Sequence, residues 1–218
     1  MTVFFMHIPK TGGGTFYNAI EPQFKNPAPR MVYAETVDFD FAGYDFISGH
    51  YPFKFYRDKL DSDTILVTLL RDPVVRVLSQ YAYESEFGYS PDDEYTAAVK
   101  GMSLEDWMDY EPARRNWNNL MVRYLTGGRR NIAVAMENLD KFDVVGFLDA
   151  HNGLQTAIKK ISELAAVKAP TCLGMWNRAS NPVALRDLPP SMLGRIQWEN
   201  ALDTILYEYA MERCCEKG

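Results

Sequence analysis

Cysteine is nearly absent: there are three in 218 residues, Cys172, Cys214 and Cys215, crowded toward one end. They are too few and too clustered for a disulfide framework, and no metal-ligand spacing accompanies them. A reducing cytoplasm is the expected setting, and no metal is expected. Long apolar runs are missing as well. No window approaches the ~18 apolar residues of a membrane-spanning helix, and the first residues show no basic stretch leading into an apolar one, so no membrane partner is expected. Positive charge is in deficit, with 23 Lys and Arg against 29 Asp and Glu and a net charge of −6. A general nucleic-acid binder needs the opposite balance, so any anion site must be local. Internal repeats, low-complexity tracts and linkers are lacking too, and 47% hydrophobic composition can fill one core. One domain over residues 1–218 is expected.

What is present begins with an apolar strand, Val3-Phe4-Phe5, that runs into Met6-His7-Ile8-Pro9-Lys10-Thr11-Gly12-Gly13-Gly14-Thr15-Phe16. Pro9 cannot donate to a sheet ladder and ends the strand, while consecutive glycines tolerate positive φ and leave their amides uncovered. The spacing of Thr15, Phe16, Ala19 and Ile20 predicts a helix from about Gly14. Its N-terminus, with Lys10, Thr11 and Thr15 alongside, makes an anion cradle. The plain alternative is a tight turn that happens to be rich in glycine. The lysine and the two threonines weigh against it. The order also excludes a Walker A loop, in which the lysine follows the glycines.

Two further strands end in chemistry. Tyr44 to Gly49 reads as a central strand, with Pro52 as its stop and His50 at its carboxyl end, where parallel sheets bind ligands. An imidazole there is suited to accept a hydroxyl proton. His7 reads as a residue that orients the loop, and His151 as a solvated residue at the start of a surface helix. Asp63 to Leu70 is a buried strand that delivers Arg71, with Asp72 as N-cap and Pro73 at the first helical position. Helical spacing then places Arg76, Ser79 and Tyr83 on one face, so Arg71 and Ser79 can converge on one phosphate. The competing reading has Arg71 and Arg76 solvated or paired to acids.

The rest is less specific. Met31 to Ala34 suggests a short strand, and 84–112 reads as acidic, solvated loops around a helix near Leu104–Met108, with a substrate-side lid as their functional reading. A helix is expected over 116–125, closed by Gly127-Gly128, then a helix over 132–139, a strand over 142–147 and a helix from Gly153 to about Ala166. The polar loop Gly174–Pro182, with Arg178, is a candidate nucleotide lid. Pro189-Pro190 opens the C-terminal helices, whose stripe of Ile196, Leu202, Ile205, Leu206, Tyr209 and Ala210 reads as core.

Alternating strands and helices with ligand motifs at strand ends argue for a three-layer α/β/α domain with a mostly parallel central sheet. The loop at 6–16 resembles the 5′-phosphosulfate loop of sulfotransferases that use 3′-phosphoadenosine 5′-phosphosulfate (PAPS), especially the carbohydrate-modifying, heparan-sulfate-type branch. Residues 70–81 are similar to the 3′-phosphate motif of the same enzymes, and Ser48–Phe53 resembles the segment that carries their catalytic histidine. Asn119, Arg123, Leu125 and Gly127 resemble another recurrent segment, with a role in acceptor binding or in packing. The resemblance implies a P-loop fold related to nucleotide kinases and sulfuryl transfer from PAPS to a hydroxyl, on a glycan or other small molecule, leaving adenosine 3′,5′-bisphosphate. By it, Lys10 and His50 are catalytic. Lys10, Thr11, Gly12, Gly13, Gly14, Thr15, Phe16, Arg71 and Ser79 bind the nucleotide, with Arg178 a further candidate. Because the loop begins within ten residues of Met1, a soluble bacterial or cytosolic member is expected. A nucleotide or small-molecule kinase and a binding module without catalysis are the alternatives.

Overall fold

In the computed structural model, residues 1–29, 40–89, 93–170 and 183–216 are described. Among these residues four short strands form one sheet: β1 (Val3–Met6), β2 (Phe46–Gly49), β3 (Ile65–Leu70) and β4 (Val144–Phe147). Their order is β2-β1-β3-β4, and every pair is parallel. Val3 stands opposite both Phe46 and Ile65, so β1 runs between β2 and β3. Parallel strands covered on both faces are mostly apolar, and the polar side chains within them, Ser48 and Thr68, are small and buried, with Thr68 donating to Met6 O at 3.0 Å.

Strand side chains alternate between faces, and the alternation separates two cores. Val3, Phe5, Phe46, Val67 and Val144 pack under α1 (Gly13–Ile20) and α8 (Gly153–Leu164), through Phe16, Ile20, Ile158 and Ile161. Phe4, Met6, Ile47 and Leu70 pack on the opposite face against α6 (Leu120–Thr126), α7 (Ile132–Leu139) and α10 (Ala201–Glu216), through Met121, Leu125, Leu139 and Leu206. Each large apolar side chain so buried contributes about 1.5–3 kcal/mol. The result is the expected three-layer α/β/α arrangement. A third cluster builds outward from α2 (Pro73–Glu86), which packs Val74, Val77 and Leu78 against Val99, Trp107, Trp117 and Ile196. These belong to α3 (Glu94–Val99), α4 (Leu104–Asp109), α5 (Glu111–Trp117) and α9 (Pro190–Glu199).

The segment 84–112 is therefore more helical than its composition suggests. Asp93 and Ser103 explain part of this, because each caps a helix with its side chain, on Thr96 N and Asp106 N. The single helix expected over 116–125 is two helices. Asn119 between them is left-handed, with φ of 46°, and cannot continue α5. In the C-terminal stripe Ile196, Leu206 and Ala210 are buried, but Ile205 is 44% exposed and faces away from the core. The strand expected at Met31–Ala34 and the loop with Arg178 lie outside the described residues. Among the described residues no helix is long and apolar enough to cross a membrane.

Candidate functional site

The carboxyl ends of β2, β1 and β3 lie side by side and deliver His50, the loop 7–12 and Arg71 to one edge of the sheet. That edge is where chain order reverses across the sheet, since the chain passes from β1 to β2 on one side and then to β3 on the other. Open α/β sheets leave a crevice at such a point.

Two residues of the loop are left-handed: Lys10, with φ of 66°, and Gly12, with φ of 89°. Glycine meets that requirement at position 12 without strain. Gly13 is needed for a different reason. A Cβ on it would lie 2.0 Å from the His7 ring, so the imidazole occupies the space a side chain would take. Gly13 and Gly14 then open α1, which has no side-chain cap and no acid in its first turn. Their amides lie at the positive end of the helix. Thr11 is fully buried and its hydroxyl donates to the carbonyl of Ile8 at 2.8 Å, bracing the loop from inside. Thr15 is half-buried in the first turn. Phe16 packs its ring 4.4 Å from that of Phe5, and its N–H donates to Gly12 O at 3.1 Å.

Lys10 turns its ammonium over the ring of Tyr83, 4.1 Å from the centroid. Burial, foremost, and the nearby Arg71 guanidinium lower its pKa from 10.5 to about 8, against the opposing pull of Glu84. Arg71 holds the same residue by its backbone, donating from Nη1 to Lys10 O at 3.1 Å. Its Nε pairs with Asp149 at 3.3 Å, and Asp149 also accepts from Asp72 N at 2.9 Å. Asp72 caps α2 on Val75 N at 2.9 Å, with Pro73 behind it, as the sequence pattern requires.

The expected common face of α2 divides. Ser79 and Tyr83 are half-buried, and the Tyr83 ring faces Lys10. Arg76 is fully buried and donates to Trp117 O at 2.5 Å and Asn116 O at 3.4 Å, the carbonyl end of α5. Its guanidinium is neither solvated nor turned to a ligand, because these carbonyls draw it into the interior.

His50 follows β2, and its Nδ1 lies 2.9 Å from His7 O. A carbonyl only accepts, so Nδ1 carries a hydrogen, and in the neutral form of the ring the lone pair lies on Nε2. The two histidine rings lie 4.0 Å apart. His7 therefore orients two partners, with its carbonyl on His50 and its ring against Gly13. On the other side the Tyr124 hydroxyl donates to His50 O at 2.9 Å, and burial pushes the phenol pKa up. His151 is exposed, ahead of α8.

Four residues behind the crevice escaped the sequence reading: Glu84, Asp149, Tyr124 and Asp203. Glu84 lies in the stretch read as solvated, yet it is fully buried. It accepts from Gln80 at 2.7 Å, Tyr89 at 2.6 Å, Trp107 at 2.7 Å, Asn116 at 3.0 Å and also from Tyr95. The i, i+4 pair Gln80–Glu84 amid so many aromatic donors was the available signal. Asp203, also buried, accepts from Met121 N at 3.1 Å and Val122 N at 2.8 Å and so caps α6 from a distant helix. The Asn119 side chain accepts from Leu202 N and Asp203 N at 3.0 and 3.1 Å, which explains its presence as packing. Arg123 of the same segment donates to Arg115 O at 2.8 Å.

No protein-family model matches the sequence, and no curated protein matches it. Solved structures do. A sulfotransferase from Alicyclobacillus acidocaldarius aligns with a TM-score of 0.56 at 15% identity, over 97% of this chain and 95% of that one. Mouse sulfotransferase SULT7A1, crystallised with PAP, aligns with a TM-score of 0.52 at 13% identity, over 95% of this chain and 88% of that one. At such identities the likeness is one of fold, and in fold this chain is similar to sulfotransferases along nearly its whole length.

Proposed function

We propose that the chain is a sulfotransferase that moves a sulfuryl group from PAPS to an acceptor hydroxyl, on a carbohydrate. The observation that carries this is the joining of two cations to one loop: Lys10 beside the open amides of α1, and Arg71, at the next strand end, bonded to the Lys10 carbonyl. A ligand charged at both its 5′ and 3′ ends uses both. ATP has no second anionic end of that kind. The sulfotransferase fold and the PAP held by the mouse protein support the same nucleotide.

PAPS supplies an activated sulfuryl group on a phosphate leaving group. The residues of this chain bind it and manage charge. Lys10 and the amides of Gly13 and Gly14 face the 5′ end, where negative charge grows on the departing oxygen. Arg71 and Ser79 hold the 3′-phosphate. His50, with its lone pair on Nε2, takes the acceptor's hydroxyl proton, while His7 and Tyr124 fix the residue in place. Tyr51 and Phe55, whose rings lie 5.9 Å apart edge to face, can stack on a sugar.

Calorimetry without added Mg²⁺ tests the nucleotide. Adenosine 3′,5′-bisphosphate should bind more tightly than ATP or 5′-AMP, and stronger, Mg²⁺-dependent binding of ATP would instead favour a kinase. Loss of sulfate transfer to every acceptor of a glycan panel, with bisphosphate binding intact, would favour a binding module.

A further inference from the structure

The Lys10 main chain is fixed, by its left-handed backbone and by the bond from Arg71 to its carbonyl, so only the four-carbon stem remains to be directed. The group that meets the end of that stem is the face of the Tyr83 ring, 4.1 Å from Nζ. We propose that Tyr83 is the positioning residue for Lys10: its ring face holds the ammonium at the mouth of the glycine loop and keeps it charged there. The assignment rests on the reading of Lys10 as the 5′-end cation.

The physical need is plain. Burial strips water from the ammonium, and Arg71 adds a second positive charge, so the local field favours losing the proton. A ring quadrupole presents its negative face to a cation, and the attraction grows once water is excluded. The ring itself is held, 5.5 Å from Phe87 and 6.4 Å from Tyr89. Tyr89 in turn donates to the buried Glu84, which adds negative potential from behind. The groups that bear on Lys10 are thus Tyr83 and Glu84 from α2 and Arg71 from the end of β3, with Asp149 compensating part of the Arg71 charge. The phenol oxygen has no part in a contact made through the ring face, so phenylalanine should serve as well as tyrosine.

The full chain is labelled by reductive ¹³C-dimethylation, which keeps lysines cationic, and the Lys10 signal is identified by its loss in Lys10→Arg. In wild type and Tyr83→Phe this signal should be shifted upfield by the ring. In Tyr83→Leu the ring shift should vanish and the titration midpoint of Lys10 should drop by about 0.5–1 pH unit. Tyr83→Met replaces the leucine variant if that one does not fold. Affinity for adenosine 3′,5′-bisphosphate in Tyr83→Leu should already be weaker than in Tyr83→Phe at pH 6.5, where Lys10 is charged in both and only its placement differs, and the gap should widen by about three- to tenfold at pH 9, following the same shift. An unchanged Lys10 signal in Tyr83→Leu, or a phenylalanine variant that behaves like the leucine one, overturns the proposal. The labelling experiment needs no nucleotide. A wild-type protein that shows the ring shift but binds no bisphosphate would therefore sink the nucleotide reading and leave the Tyr83–Lys10 pair standing.

Discussion

The Arg71 guanidinium donates to the backbone carbonyl of Lys10 at 3.1 Å while its Nε pairs with Asp149 at 3.3 Å. The residue assigned to the 3′-phosphate thus also braces the loop assigned to the 5′ end. Arg71→Ala should weaken adenosine 3′,5′-bisphosphate by about 1.5–3 kcal/mol, the range of a hydrogen bond to a charged group. It should also weaken 5′-AMP, by about 1 kcal/mol, because the Lys10 backbone loses a partner. Calorimetry with the two ligands measures both losses. Equal losses would mean that Arg71 acts only through the loop.

Lys10 gives the site a pH dependence whose sign can be worked out. Its pKa is depressed to about 8 from 10.5, and binding a phosphate needs the charged form. Affinity for the bisphosphate should hold below about pH 8 and fall above it, by up to about tenfold per pH unit, with proton uptake on binding near the midpoint. For folding, the unfolded chain binds more protons between about 8 and 10.5. The stability lost to the buried ammonium is therefore fully lost below 8 and recovered as pH rises to 10.5. Binding titrations in buffers of different ionisation enthalpy measure the uptake, and none near pH 8 would show that Lys10 does not meet the nucleotide.

The strand ends were legible because backbone rules are local. Pro9, Asp72-Pro73 and the glycines announce where strands stop and helices start whatever the rest of the chain does. His50 and Arg71 follow from those boundaries. What was not legible depends on partners far along the chain. Arg76 and Glu84 have ordinary surface spacing on a helix, and only the arrival of α4 and α5 makes them interior, with acceptors from Asn116 and Trp117 for one and donors such as Trp107 and Asn116 for the other. The break at Asn119 depends on Asn200, whose side chain accepts from Asn119 N at 2.9 Å across the domain. No window of sequence contains that bond.

Gly13→Ala should act through His7. The added methyl would fall 2.0 Å from an imidazole that itself lies 4.0 Å from His50, so the ring must move. Overpacking of this kind costs about 1–3 kcal/mol. His7→Ala in the same chain should restore most of that stability by opening the space. Denaturant titration of the single and double variants checks it, and a double variant no more stable than Gly13→Ala would place the strain elsewhere.

Glu84→Gln tests the buried carboxylate. Both oxygens accept, from Gln80, Tyr89 and Asn116 on one and from Tyr95 and Trp107 on the other. An amide turns one oxygen into a donor that faces donors, whichever way it is set. Two or more buried groups then lack a partner, and the fold should lose at least about 2 kcal/mol in chemical denaturation. A loss under about 1 kcal/mol would indicate that the network rearranges around the amide.

His50 separates a catalyst from a binding module. Its Nδ1 is committed to His7 O at 2.9 Å, so in the proposed role the acceptor's proton goes to Nε2. His50→Ala should leave bisphosphate affinity within about twofold and lower turnover by roughly 10²–10⁴, the usual share of general base catalysis. Lys10→Ala should differ by damaging both affinity and turnover, since the proposed role sets its charge against the nucleotide before and during transfer. The measurement needs an acceptor found by a sulfate-transfer screen over glycans and phenols. With that acceptor in hand, a His50→Ala enzyme that turns over at the wild-type rate would assign the base to another residue.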